Sequence, residues 1–241
     1  MENLGFSTGC LYKSGLDLKE RLELLGSIGC RTIELGFIRL NEFFDGQLLA
    51  LTRRDLQSFN YISLHTPKHD YCDDDKTSEI FKTILKFNDR RMLDLVVIHP
   101  DTVTDFSIFK ANSPLPIAFE NMDSRKASYK SAEDMQRLLM HTFSQDCEFG
   151  MVLDVNHAYT NDQSLHLTAT LWQKFYQWID QIHLSGFDPQ NGYHDPLFKT
   201  GQKEIVQSVE NANLPIIIES VLDPGELVCE RDYILEIFNQ T

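Results

Sequence analysis

The sequence predicts an α/β fold, a (β/α)8 TIM barrel, and three observations predict it. Short apolar runs alternate with longer amphipathic stretches from one end of the chain to the other, and the runs number eight. Strand then helix, repeated, implies right-handed parallel crossovers, and eight such units close into a barrel of about 250 residues; this chain has 241. No G-x-G-x-x-G or Walker loop follows any run, which argues against the open, doubly wound alternative. No stretch rich in Gly, Ser or Pro marks a linker, so residues 1–241 read as one domain.

The runs are LGFSTGC (4–10), RTIELGF (31–37), NYISLH (60–65), LDLVVIH (93–99), LPIAFEN (115–121), GMVLDVN (150–156), IDQIHLS (179–185) and LPIIIES (214–220). Each suits a strand covered on both faces. Helical spacing fills the gaps: in residues 17–29 Leu18, Leu22, Leu25 and Ile28 fall on one face. The same pattern recurs over 77–93, 131–143, 163–179, 201–212 and 224–239. Thr77 near Glu79 and Ile80, and Ser131 before Asp134, mark helix starts. The connection after the fourth run is shorter and less clearly helical. Trp172 and Trp178, on one amphipathic segment, read as packing between helix and barrel.

Composition excludes some classes. Hydrophobic residues at 42% and charged residues at 24% are ordinary for a soluble globular chain with a sizeable core. A formal net charge of -14 repels phosphate backbones unless basic residues gather on one face, which lowers the expectation of nucleic-acid binding. The start MENLGFSTGC has no basic or apolar leader, and nowhere do 18 apolar residues run together, so the expectation is a cytoplasmic, unprocessed protein without a membrane partner. The five cysteines, Cys10, Cys30, Cys72, Cys147 and Cys229, never form a C-x-x-C pair and read as reduced, mostly buried thiols.

The polar residues that finish the runs carry the chemistry. Strand three ends in His65, strand four in His99, strand five in Glu120 and strand six in Asp154; strand seven has His183 and strand eight ends in Glu219. Their intervals, 34, 21, 34, 29 and 36, are close to the roughly 30 residues of one βαβ unit. Each unit therefore sends one ligand-type side chain into one mouth. Carboxylates and imidazoles crowded there repel one another or stay desolvated unless a cation binds them. Mixed imidazole and carboxylate ligands suit Zn²⁺, Mn²⁺, Fe²⁺ or Co²⁺ better than Ca²⁺, and a bridging Glu120 could hold two ions. His157 and His194, on the loops after strands six and seven, could reach the same mouth.

With these residues laid out, the chain resembles the xylose isomerase-like TIM-barrel superfamily, which contains endonuclease IV and sugar isomerases and epimerases. The resemblance runs from GCRTIELGF to IIIESVLD and is most specific at LHTP, IHPD, FENMD, LDVNHAY, IHLSGF and IIIES, in that order. Its isomerase and epimerase branch implies one metal held by Glu120, Asp154, His183 and Glu219. Glu120 and Glu219 then transfer protons on either side of the substrate while the metal stabilises an enediolate. Glu34, in TIEL, fits that branch as a substrate contact, or it is an ion pair at the barrel rim. The endonuclease IV branch adds His65 and His99. It also implies a third zinc, held by the histidine matching His157 and by an Asp-Arg-His triplet that appears here as Gly192-Tyr193-His194, which lacks the carboxylate unless Asp195 substitutes.

The leading expectation is a metal-dependent isomerase or epimerase of a sugar or sugar-phosphate-like compound, with one to three divalent ions per chain. The alternative is an endonuclease IV-like multinuclear phosphoesterase, and a non-catalytic barrel is the third. Lys68, Arg39, Arg125 and Lys199 lie near candidate loops, either to bind a phosphate or as solvated surface. Substrate identity and oligomeric state, a homo-oligomer included, stay open.

Overall fold

A computed structural model describes residues 2–112, 114–143, 149–190 and 192–240. In chain order the strands are β1 (Leu4–Ser7), β2 (Thr32–Gly36), β3 (Tyr61–His65), β4 (Leu95–Ile98), β5 (Ile117–Glu120), β6 (Gly150–Asp154), β7 (Ile179–Leu184), β8 (Gly186–Asp188), β9 (Gly192–Asp195) and β10 (Ile216–Ile218). All eight apolar runs contain a strand. These eight pair in parallel and close in the order β1-β10-β7-β6-β5-β4-β3-β2. The chain is thus an eight-stranded parallel barrel with helices between its strands, a (β/α)8 TIM barrel. The short β8 and β9 form a separate antiparallel hairpin after β7, which the apolar pattern did not reveal.

The helices are α1 (Leu18–Ser27), α2 (Leu40–Phe44), α3 (Gln47–Ala50), α4 (Arg53–Leu56), α5 (Asp75–Arg91), α6 (Ala132–Phe143), α7 (Val155–Asn161), α8 (His166–Phe175), α9 (Leu197–Thr200), α10 (Lys203–Gln207) and α11 (Leu227–Phe238). Local chemistry fixes several starts. Asp17 and Glu20 form a reciprocal capping box at α1, with both hydrogen bonds 2.8 Å long. Asp74 accepts from the Thr77 amide at 2.6 Å, so α5 begins two residues before Thr77. Ser131 accepts from the Asp134 amide at 3.2 Å, as its spacing predicts. Between β4 and β5 the helical turns among the described residues are 3-10 turns, beginning at Pro100, which has no amide hydrogen to donate. The β2–β3 connection, where the pattern singled out no helix, carries the three short helices α2 to α4.

The twofold alternation of strand side chains separates two cores. Outward residues such as Val96, Ile98, Phe119, Leu153, Ile182 and Ile218 join the large core between sheet and helices. Inward residues Leu95, Val97, Ala118 and Val152, with Tyr61, form a small apolar plug inside the barrel. Two residues beyond Val97, Ala118 and Val152 stand His99, Glu120 and Asp154. The same alternation that fills the barrel therefore brings these polar groups to its carboxyl-terminal mouth.

Some expectations change. Trp172 packs against the core; Trp178 lies beyond the end of α8, is partly exposed and stands with its ring 6.3 Å from that of the buried Phe175. Cys10 and Cys30 are buried, and burial pushes the Cys30 thiol up to about 11; Cys72 is half-buried and Cys229 exposed, while Cys147 lies outside the described residues. Among the described residues no helix is long and apolar enough to cross a membrane.

Gly5 shows how closely β1 and β2 approach: a Cβ there would lie 1.8 Å from the Thr32 carbonyl oxygen. Gly5→Ala is expected to lower stability by about 3 kcal/mol, the upper part of the usual overpacking range. Urea unfolding checks this, and a loss below about 0.5 kcal/mol, ordinary for a surface change, would contradict the packing described.

Candidate metal centre

Two groups of side chains meet at the mouth and share Glu120. The first is His65, His99 and Glu120, each offering one ligand atom. His65 Nδ1 lies 3.1 Å from its neighbour's carbonyl, Thr66 O. A proton held there leaves Nε2 as a lone pair. That Nε2 is 3.1 Å from His99 Nε2 and 3.1 Å from Glu120 Oε2, and His99 Nε2 is also 3.1 Å from Glu120 Oε2. Three acceptor atoms at this mutual distance need a cation or protons between them.

The second group is Glu120, Asp154, His183 and Glu219, whose ligand atoms all lie within 4.8 Å of one another. His183 Nδ1 is 3.4 Å from both Glu120 Oε1 and Glu219 Oε2. Asp154 ends β6 and caps α7, so its two oxygens have different tasks. Oδ1 accepts from the His157 amide at 2.7 Å, while Oδ2 has no hydrogen-bond partner. Glu120 Oε1 and His183 Nδ1 are likewise buried without a hydrogen-bond partner. Orphaned oxygen and nitrogen atoms facing one point fit a divalent ion of mixed ligand preference. The floor is sealed, with Glu120 and His183 0% exposed; the side chains of Glu219 and His99, at 15% and 30%, open towards solvent.

Without an ion, the imidazoles must balance the carboxylates. Burial opposes a charged His65, but its hydrogen bond to Glu120 and the charges of Glu34, Glu120 and Glu219 outweigh it and raise the pKa to about 9. Burial likewise opposes a charged His157, which Asp154, Glu120 and the Asn121 carbonyl raise to about 10. His183 is raised well above its ordinary value by Glu219, Glu34 and Glu120 against the same burial. Burial raises Asp154 well above the usual carboxylate range; Glu120 is held below it because His183, His99 and His157 outweigh burial.

The ring of His157 sits between these groups and their support. Its Nδ1 is 2.9 Å from Asn121 O, 3.1 Å from Glu120 Oε1 and 3.5 Å from Asp154 Oδ2. His194, carried on β9, has Nδ1 3.0 Å from Ser185 Oγ and 3.9 Å from Glu219 Oε2; burial lowers its pKa to about 4. The His157 and His194 rings stand 5.5 Å apart, edge to face. Asp195 does not join them: its Oδ2 accepts from the Asp188 amide at 3.1 Å within the hairpin. Among the described residues His157 and His194 belong to no third ligand group. Glu34 is fully buried inside the barrel, away from the rim, with Oε2 3.1 Å from His183 Nε2.

Several supporting residues carry no advance signal beyond being polar within apolar runs. Asn121 exchanges two 2.9 Å hydrogen bonds with the backbone of Asp154, fixing β6 against β5 where both supply site residues. Gln181, inward on β7, donates to Glu34 Oε2 at 2.9 Å. Glu230 of α11 is buried and accepts from the Leu197 and Phe198 amides and from Ser220 Oγ, the hydroxyl beside Glu219. The rim cations are largely engaged: Arg125 holds Asp123 at 2.9 Å, Lys126 holds Asp101 at 2.5 Å and Lys199 holds Glu226 at 2.5 Å. His141 and His166 are exposed on α6 and α8.

No family model matches the sequence, and no curated protein matches it. Solved structures do. A D-tagatose 3-epimerase-like protein superposes with a TM-score of 0.68 at 16% identity, over 99% of this chain and 98% of its own. What the likeness shows is the fold, a (β/α)8 barrel. Two further solved structures are similar to this chain. Endonuclease IV from Thermus thermophilus gives 0.67 at 14% identity, over 99% of this chain and 100% of its own. The 3-keto-D-glucoside 4-epimerase of E. coli gives 0.65 at 11% identity, with both chains covered in full.

The charge balance makes metal uptake pH-dependent. A folded-state pKa of about 9 for His65, above the ordinary 6.5, stabilises the metal-free fold fully below pH 6.5, and the contribution is lost as pH rises through 9. An ion entering at neutral pH must displace protons from these imidazoles. Calorimetry of Zn²⁺ binding at pH 7 in buffers of different ionisation enthalpy is expected to give heats that differ with proton release; identical heats would contradict the assigned protonation.

Proposed function

We propose that this chain is a divalent-metal-dependent isomerase or epimerase of a small, sugar-like polyhydroxy compound. The observation that carries the reading is the convergence of Glu120, Asp154, His183 and Glu219 at the barrel mouth, where Glu120, Asp154 and His183 each turn in an atom without a hydrogen-bond partner. In this reading they hold the ion, which, when bound, polarises substrate oxygens as a Lewis acid. Zn²⁺, Mn²⁺, Fe²⁺ and Co²⁺ all suit such a donor set.

Glu219 and Glu120 are the proton-transferring pair. One carboxylate takes a proton from the carbon beside a substrate carbonyl, and the other delivers a proton to carbon, on the opposite face for epimerisation. Glu219 is the more open of the two and meets the substrate from the solvent side. His194, beside Glu219 and partly open to solvent in its neutral form, lines that approach. The sugar epimerases among the structural neighbours support a sugar-like substrate.

A second reading has its own observation: His65, His99 and Glu120 form a complete second ligand group. Two ions sharing Glu120 suit phosphoester hydrolysis, in which one activates water and the other stabilises the leaving oxygen. The structural likeness to endonuclease IV fits this reading. A nucleic-acid substrate suits it poorly, because the chain carries a net charge of -14 and the rim cations Arg125, Lys126 and Lys199 are tied to carboxylates.

The readings separate by experiment. Incubation of the metal-loaded protein with candidate ketoses in deuterated solvent is expected to place deuterium on a substrate carbon. Turnover of phosphoesters with no such incorporation would replace the first reading with the second. Glu219→Gln is expected to reduce turnover by about 10²–10⁴-fold, the span of a lost acid or base; undiminished turnover in a metal-occupied variant would remove Glu219 from that role. His99→Ala is expected to leave most isomerase activity, whereas a two-ion hydrolase would lose most of its own.

A further inference from the structure

Glu34 is a carboxylate sealed in the barrel interior, where an ionised group persists only if its neighbours supply hydrogen bonds or charge. The strand register supplies them. Glu34 lies opposite Ser63 in the β2–β3 pairing, one inward step below the level of Gly36 and His65. Its Oε2 receives His183 Nε2 at 3.1 Å, Gln181 Nε2 at 2.9 Å and Ser63 Oγ at 3.4 Å.

The consequence falls on His183. An imidazole proton held at Nε2 by a carboxylate leaves Nδ1 as the lone pair, and that Nδ1 faces Glu120 Oε1 and Glu219 Oε2 at 3.4 Å each. His65 and His157 are oriented differently, by the backbone carbonyls of Thr66 and Asn121. His183 instead has an anion behind it, which strengthens its ligating nitrogen as well as aiming it.

We propose that Glu34 is a positioning residue of the metal centre: it holds the proton of His183 on Nε2, turns Nδ1 towards Glu120 and Glu219, and raises the donor strength of that nitrogen. This rests on the metal-centre reading above. Gln181, on the strand that carries His183, sets its side-chain amide 2.9 Å from the same oxygen of Glu34 and 2.7 Å from His183 Nε2, so it closes this contact from a second side.

The test is Zn²⁺ affinity, measured by competition with a chromophoric chelator, for the wild-type chain, Glu34→Ala and Glu34→Gln, together with thermal unfolding of each metal-free form. Glu34→Ala is expected to weaken Zn²⁺ by about 10–100-fold, the usual effect of losing a partner behind a metal-bound histidine. Glu34→Gln is expected to fall between, because its amide oxygen still accepts the His183 proton but carries no charge. A graded loss of affinity at unchanged melting temperature is the signature of positioning, which a space-filling role would not produce. Wild-type affinity in both variants overturns the proposal; if the alanine variant does not fold, wild-type affinity in Glu34→Gln alone overturns it. Failure of the wild-type chain itself to bind Zn²⁺ overturns the metal-centre reading and this proposal with it, and is distinguished from the other failure by the wild-type titration.

Discussion

The structure depends on one electrostatic conflict at the mouth of the barrel. Glu120, Asp154 and His183 are sealed from water, yet each turns an atom without a hydrogen-bond partner towards its neighbours. Such atoms are costly in a protein interior unless a cation or protons join them. The shifts within the cluster express the same conflict: His65 and His183 pushed up, Glu120 held down, and Asp154 driven towards its neutral form by burial. A divalent ion resolves it with fewer particles than a set of protons and leaves the open side, at His99, His194 and Glu219, for substrate.

The barrel supplies that conflict by arithmetic. Val97, Ala118 and Val152 plug the interior, and the inward positions two residues further along β4, β5 and β6 are His99, Glu120 and Asp154. Asp154 also shows how one residue serves fold and site together. One oxygen caps α7, and the helix it starts brings His157 back beside Glu120. An acid and a histidine stand close together here because a strand ends and a helix begins at the same place.

These parts were legible because period and spacing reveal them. Eight apolar runs gave eight barrel strands, and one ligand-type residue per strand end identified every member of both groups. Other parts were not legible because their role depends on distant partners. Asn121 reads as a residue after a strand, yet it clamps the Asp154 backbone; Glu230 reads as one charge on an amphipathic helix, yet it anchors Ser220 and the start of α9. Glu34 sits in an apolar run without any local sign that His183, 149 positions away, is its partner. The β8–β9 hairpin is too short to show a period, although it carries His194 to Glu219.

The central claim is that this mouth holds divalent metal, and elemental analysis of protein purified without chelator tests it most directly. Glu120 belongs to both groups, so the comparison with Glu120→Ala is decisive. The account predicts one or two divalent ions per wild-type chain and loss of both positions in the variant, with the fold retained by circular dichroism. A wild-type chain that carries no ion and takes none up on addition of Zn²⁺, Mn²⁺, Fe²⁺ or Co²⁺ would contradict it.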